Sequence, residues 1–360
     1  MTLICKKYII IENKLKYSGG VHMHMADALI TPTVGAVGIA MSVSVAAYSI
    51  GKIRKEVDFD RKIPLMGVVG AFVFAAQMVN FTIPGTGSSG HICGGLLLAA
   101  ILGPEAGFLS MLSILIIQSL LFGDGGILAL GCNAINMGFF GCFIGYKLIF
   151  ENIIKKQYSK KNIFIGSISG SIVSLLFGAF LVVIETSVSG ITELPFTTFI
   201  AFMLPIHLVI GTVEGVVTGF ILNFIYENRP EILQPIKSNN MTFNAIKKTA
   251  CVFLAASLII GGGISLLASS NPDGLEWSIL KTSGSEEIQS TGEIHEVINH
   301  IQEEIALMPD YNLIINNSEE SMKSFGQVAC GVLGVFITAI FIIILGYMFK
   351  KKQNKDKLYN

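Results

Sequence analysis

The chain has 360 residues, no net charge, 14% charged against 52% apolar residues, and a mean hydropathy of +0.65. That balance excludes an ordinary soluble domain and points to a polypeptide built for a bilayer, while the zero net charge leaves no bulk argument for nucleic acid or acidic partners. The cysteines Cys5, Cys93, Cys132, Cys142, Cys251 and Cys330 form no CxxC pair, which sets aside a disulfide framework or a cysteine zinc site and predicts buried thiols.

Residues 1–22 make a poor targeting segment. The run Tyr8-Ile9-Ile10-Ile11 is shorter than the roughly 7–15 apolar residues of a signal core, and no small-x-small cleavage pattern precedes Met23. Ser18-Gly19-Gly20-Val21 can be encoded with a GGAGGT core two codons ahead of the ATG for Met23, where a bacterial ribosome-binding site belongs. The expectation is that 1–22 is an extension upstream of the true start.

A chain that begins Met23-His24 offers three nitrogens from one place: the terminal amine, the deprotonated backbone nitrogen of His24, and its imidazole Nδ1. They close a five- and a six-membered chelate ring and cover three corners of a square. Four-nitrogen square sites suit Ni(II) and Cu(II), with Co(II) also compatible. The competing reading is an ordinary polar lead-in to a membrane helix.

Nine apolar stretches follow, near 29–50, 65–81, 92–103, 105–122, 126–148, 163–186, 197–225, 249–268 and 326–349. The third is too short to cross as a regular helix and reads as re-entrant or broken, which is tolerated only inside protein or along a cavity. Positive charge follows the first, fifth, seventh and ninth stretches. After Met23, every Lys and Arg except Lys281 and Lys323 lies in those four clusters. With nine spans all four share one side, so Met23 is expected outside and the C-terminus in the cytoplasm.

The loop Phe81-Thr82-Ile83-Pro84-Gly85-Thr86-Gly87-Ser88-Ser89-Gly90-His91 lies on the same expected outer side, its proline and glycines breaking the helix. His91 at its end is a fourth-nitrogen candidate; a helix-end cap or a solvated side chain is the alternative. The chain has no Walker pattern, so any ATP must be hydrolysed by another subunit. Polar residues at membrane depth carry a functional hypothesis by default. His207 and Glu214 share a helix face, either as functional groups or as a structural polar cluster. Gln77 and Asn80 are placed to hydrogen-bond the glycine-rich loop, Asn133 and Asn136 repeat their spacing, and Asp27 is the best-placed acid to orient a ligand. The small-residue strips Ala36–Ala40 and Ala71–Ala75 suit close helix packing, either within this chain or against a partner.

The run Met23-His24-Met25-Ala26-Asp27-Ala28-Leu29-Ile30 and the block PGTGSSGH (84–91) resemble the membrane substrate-capture subunit of cobalt and nickel energy-coupling-factor transporters, the CbiM/NikM family. The blocks Leu102-Gly103-Pro104, Phe122-Gly123-Asp124-Gly125-Gly126, Leu130-Gly131-Cys132-Asn133-Ala134-Ile135-Asn136-Met137, Glu193-Leu194-Pro195-Phe196 and Leu204-Pro205-Ile206-His207 continue the likeness over roughly 23–232. The string Pro272-Asp273-Gly274-Leu275-Glu276 resembles the small accessory subunit of the same transporters, CbiN/NikN, here fused.

The resemblance implies an all-α polytopic membrane protein, with a core of about seven helices plus two further spans flanking an extracytoplasmic loop. It implies that Co(II) or Ni(II), as transported substrate, is held by Met23, His24 and His91, with no organic cofactor. It also implies partners: a transmembrane coupling subunit and two cytoplasmic ATPases. Met25-Ala26 and Ala28 differ from many relatives, leaving cobalt and nickel both open. The expected layout is 23–232 capture domain, 233–248 cytoplasmic linker, 249–349 accessory module, and 350–360 basic tail. The acidic loop of that module, with Glu286, Glu287, Glu293, Glu296, Glu303, Glu304, His295 and His300, is expected to be solvated, attracting cations at most and assisting loading. Two other classes compete. A metalloprotease would need an HExxH-type string, which the chain lacks, and a self-sufficient secondary transporter would show repeated halves with broken helices.

Overall fold

In lipid a backbone polar group must be satisfied within its own segment, so long apolar runs become helices. The computed structural model describes residues 24–56, 59–233, 243–285, 288, 292–311 and 320–356. Met23, most of the 233–248 linker, Glu286, Glu287 and the last residues of the tail lie outside them. Seven segments are long and apolar enough to span: Pro32–Ile53, Pro104–Phe122, Leu130–Lys156, Lys160–Ser189, Phe196–Asn228, Lys247–Leu267 and Phe325–Lys350. The protein is an all-α, multi-pass membrane bundle.

Helix α1 (Pro32–Ile53) starts at Thr31, whose side chain accepts from the Val34 N–H, with Pro32 in the first turn. Helix α2 (Phe59–Gln77) carries charge in its first turn at Asp60, so its apolar part, Lys62–Gln77, is shorter than a full span. The expected loop at 81–91 is instead an antiparallel hairpin, β1 (Phe81–Ile83) with β2 (Ser88–Gly90), paired Phe81 to Gly90 and Ile83 to Ser88. Gly85 and Gly87 adopt positive φ in its turn, which lets the strands pair over so short a length.

Helix α3 (Gly95–Leu102) is the broken segment, buried at all eight residues and bounded by left-handed Gly94 and by Gly103. The buried Lys62 ammonium donates to the Leu102 carbonyl at 3.0 Å and satisfies that helix end inside the protein. Helix α4 (Pro104–Ile117) continues into a π-helical turn, Gln118–Phe122. Helix α5 (Leu130–Lys156) also widens to π geometry over Ala134–Phe150, and α6 (Lys160–Ser189) and α7 (Phe196–Asn228) complete the core.

The remaining chain forms α8 (Phe243–Gly262), α9 (Gly274–Ser283), α10 (Glu293–Ile305) and α11 (Glu320–Asp356). Helices α8 and α11 both pack on α2 and cross each other where Gly261 meets Gly331 backbone to backbone. Of the two small-residue strips, Ala71–Ala75 is buried within the chain, whereas Ala36 and Ala40 face outward. The packing face of α1 is instead Gly35 and Gly38, set against Leu128 and Cys132. Among the described cysteines, Cys93, Cys132, Cys142 and Cys330 are buried thiols, but Cys251 is exposed.

Candidate metal centre

Residues 24–30 are drawn into the bundle by their own apolar side chains. Met25, Leu29 and Ile30 are buried in one cluster with Leu128, Cys132, Val183, Phe199 and Leu275. Polar contacts fix the register. The Met25 N–H donates to Asn133 Oδ1 at 3.2 Å, while Asn133 Nδ2 and the Gly126 N–H donate to the Met25 carbonyl at 3.0 and 3.1 Å. Asp27 Oδ1 accepts from the Ala129 N–H at 2.8 Å. Burial pushes the Asp27 carboxyl above the ordinary carboxylate range, and hydrogen bonds from the 127–129 backbone only partly offset it. Room for the segment comes from two glycines: a Cβ at Gly125 would press on His24 Cβ, and one at Gly126 would overlap the Asp27 carboxylate.

The hairpin and α3 bring the second imidazole to the same place. Glu214 on α7 accepts from the Cys93 and Gly94 N–H groups at 2.8 and 3.1 Å, holding the backbone just past His91. The His24 and His91 ring centres are 5.6 Å apart, tilted by 55°. With metal–nitrogen bonds of about 2 Å, two rings can share one ion at such a spacing. Both line a cavity of about 100 Å³ together with Met25, Asn133, His207, Glu214 and Asp273. That volume is far below the roughly 300–1,000 Å³ of organic-ligand pockets and suits an ion. His24 is 3% exposed; its Nε2 lies 3.0 Å from Gln118 Oε1, whereas its Nδ1 has no hydrogen-bond partner among the described residues. Asp273 Oδ2 is 4.0 Å from His91 Nε2, and burial, then the neighbouring Glu276 carboxylate, raise the Asp273 carboxyl well above its usual range.

The supporting residues expected from sequence separate. Gln77 reaches past the hairpin to the Cys93 carbonyl at 2.9 Å and joins the His24 side through Gln118. Asn80 does not bond the loop; its carbonyl accepts from the Ser269 N–H, tying the hairpin to the second module. His207 lines the cavity but its Nδ1 is bonded within its own helix to the Met203 carbonyl, so it and Glu214 do not form a pair. Asn133 grips the N-terminal segment, whereas Asn136 donates to Glu185.

The described acids of the module's loop, Glu293, Glu296, Glu303 and Glu304, are exposed as expected, but the module around them docks on the core. Ser89 bonds the Asn271 and Pro272 carbonyls, Trp277 Nε1 donates to the Thr86 carbonyl at 3.0 Å, and buried His295 Nε2 lies 2.9 Å from the Ile30 carbonyl. His295 is thus a docking residue, whereas His300 is exposed beside Glu304. Asp273 also caps α9 in a reciprocal capping box with Glu276. Gln118, Asp273 and Tyr311 are site neighbours that sequence reasoning missed. The signal for Gln118 was a lone amide at the end of an apolar run, one turn before the glycine-rich block 123–126.

Residues 24–232 match the family described as the cobalt uptake substrate-specific transmembrane region. The chain belongs to that family. Residues 247–351 match the PDGLE domain, so this is a capture-type membrane region with a PDGLE module fused behind it. Its relatives carry matching names. A protein of Archaeoglobus fulgidus named for fused nickel transport, NikMN, is 34% identical over 59% of this chain and 68% of its own. LarMN of Lactiplantibacillus plantarum, likewise named for fused nickel transport, is 32% identical over 71% of this chain and 78% of its own. The cobalt transport protein CbiM of Sorangium cellulosum is 26% identical over 60% and 96%. A crystal structure of a truncated transition metal transporter superposes with a TM-score of 0.51 at 32% identity, covering 57% of this chain and 99% of that one.

Proposed function

We propose that this family member is the substrate-capture membrane subunit of an ATP-driven, energy-coupling-factor type importer of divalent cobalt or nickel. The observation that carries the reading is the pairing of His24 and His91 across a small cavity, with His24 Nδ1 without a partner among the described residues. The Met23 amine, the His24 backbone nitrogen and Nδ1, and a His91 nitrogen make four nitrogen donors, the set that suits Ni(II) and accommodates Co(II). The amine exists only in chains that begin at Met23. Asp27, Gln77, Asn133 and Glu214 hold the segments that carry the donors, and His207 and Asp273 line the cavity; Asn80 serves the module's docking.

In this reading 23–232 is the capture domain, 233–248 a cytoplasmic linker, 249–349 the accessory module and 350–360 a basic tail. Met23 faces outward, where the ion is captured, an orientation that the basic clusters at the other helix ends support. The chain carries no catalysis of its own; a transmembrane coupling subunit driven by two cytoplasmic ATPases reorients it for release. Affinity falls in acid, because amine, amide and imidazole must each be free of their proton to bind.

The test is uptake of labelled Co(II) and Ni(II) by cells carrying the full transporter, with N-terminal mass spectrometry of the purified chain. His24→Ala and His91→Ala should each abolish uptake while the protein still reaches the membrane; uptake retained in both rejects the site. Uptake that persists with the ATPases inactivated would replace the importer reading by a secondary transporter.

A further inference from the structure

We infer that Gln118 sets the tautomer of His24, and that the fused PDGLE module, through Tyr311, holds Gln118 in the orientation that does so. The inference rests on the reading of His24 as a metal ligand. An imidazole binds an ion through Nδ1 only if its proton sits on Nε2, and which nitrogen is protonated is set by the hydrogen bond made at the other. Here a chain of bonds leaves no choice. The Cys93 carbonyl can only accept, so the Gln77 atom 2.9 Å from it is the amide nitrogen, and Gln77 Oε1 is an acceptor. The Gln118 atom 3.0 Å from Gln77 Oε1 is therefore its nitrogen, which leaves Gln118 Oε1 to accept from His24 Nε2–H at 3.0 Å. Nε2 is thus the donor, so in the neutral ring Nδ1 carries the lone pair, and it has no partner among the described residues.

The second arm comes from the fused module. Tyr311 donates to Asp124 Oδ2 at 2.7 Å, and its oxygen accepts from the same Gln118 nitrogen at 3.2 Å. The module is shaped to present this hydroxyl. Asp310 and Tyr311 are the described non-glycine residues with positive φ, at 51° and 55°, a conformation that side chains disfavour unless their surroundings fix it. Tyr311 stacks on Phe122 at 4.7 Å, and Met308 donates its N–H to the Leu121 carbonyl. Gln302 donates to the Ser119 and Gly125 carbonyls, so the π-turn that carries Gln118 is clamped on both sides. A π-turn is where helices depart from their regular ladder at functional positions. Docking of the module thus adds a second acceptor to the Gln118 nitrogen already bonded to Gln77, and so reinforces the orientation that presents Gln118 Oε1 to His24.

The test is nitrogen NMR of histidine-labelled full-length protein in lipid nanodiscs without metal, with the His24 signals identified by their loss in His24→Ala. In the wild type His24 should show a protonated Nε2 and a bare Nδ1. Gln118→Met, which keeps the length and removes the acceptor, should populate the other tautomer and weaken Ni(II) binding by roughly 10–100-fold. Tyr311→Phe should weaken it by about two- to tenfold, the share of one hydrogen bond. A wild-type Nδ1 that carries the proton, or a Gln118→Met spectrum like that of the wild type, overturns the inference, and unchanged affinity in Tyr311→Phe overturns the module's part in it. Should Gln118→Met not fold, the wild-type spectrum and Tyr311→Phe still decide. Failure of the capture site itself reads differently: there His24→Ala would keep its Ni(II) affinity whatever the tautomer.

Discussion

Two segments lie over the same end of the bundle, and they use their histidines in opposite ways. The N-terminal segment 24–30 is pinned at the Met25 backbone by Asn133 and Gly126 and at the Asp27 carboxylate by Ala129, and its histidine keeps one nitrogen without a partner among the described residues. The PDGLE segment 269–311 is pinned through backbone groups at Ser269, Asn271, Pro272 and Met308, and its polar side chains are engaged as well. Asp273 caps a helix, His295 reaches Ile30, Gln302 reaches two carbonyls, and Tyr311 bridges Gln118 and Asp124. A buried polar atom left unsatisfied costs about 1–3 kcal/mol, a cost that a ligand bound at His24 Nδ1 would relieve. By that measure the first segment is built to bind and the second to support. The module's histidines and acids look metal-rich in sequence, yet the structure spends His295 on docking.

That contrast can be broken by exchanging the two histidines as targets. His24→Ala should cost more Ni(II) affinity than the ~10–100-fold typical of losing a group that only orients a ligand, measured by metal titration of purified protein. Gly126→Ala should come next. Its Cβ would overlap the Asp27 carboxylate and crowd the Asp27 N–H, so the N-terminal segment must move. Overpacking of this kind costs about 1–3 kcal/mol, and metal should dissociate faster while the helical content stays. His295→Ala removes one hydrogen bond, worth roughly 1 kcal/mol, and should loosen the module, seen as faster amide exchange over 24–30 and 293–305, with affinity changed less than tenfold. A His295→Ala defect as deep as that of His24→Ala would erase the distinction.

The spans were legible because apolar runs of about 20 residues have only one outcome in lipid. The broken third segment was legible for the same reason, since Gly95–Leu102 is too short to cross and lies between Gly94 and Gly103. The meeting of His24 and His91 was suggested by chelate chemistry and by resemblance, but no periodicity encodes it. It depends on a hairpin whose strands are three residues long and on Glu214, far along the chain, gripping the backbone at 93–94. The supporting shell was the least legible. Gln118, Asp124 and Tyr311 are spread over nearly two hundred residues, and the bonds of Tyr311 to the other two exist only once the second module has docked. Over 293–304 the charge reads as a solvated face and the four glutamates are exposed; what composition does not show is the one edge of α10 turned inward at His295.

The smallest expected effect concerns Asp27, and its sign separates a supporting carboxylate from a ligand. Burial raises the native carboxyl above its ordinary value of 3.8, so the folded chain holds this proton more tightly than the unfolded chain does. Between the two values the native state binds more protons. Stability therefore falls as pH rises from about 4 through the raised value, and levels off above it. Asp27→Asn keeps an oxygen for the Ala129 N–H and cannot ionise, so this descending step should vanish from the pH profile of thermal unfolding, followed without metal in nanodiscs. Its Ni(II) affinity should stay within about tenfold of the wild type, because Asp27 orients the segment from the side away from the cavity lining. An unchanged pH profile would mean that the carboxylate is paired well enough to stay ionised, and a loss of affinity matching that of His24→Ala would move Asp27 from support to ligand.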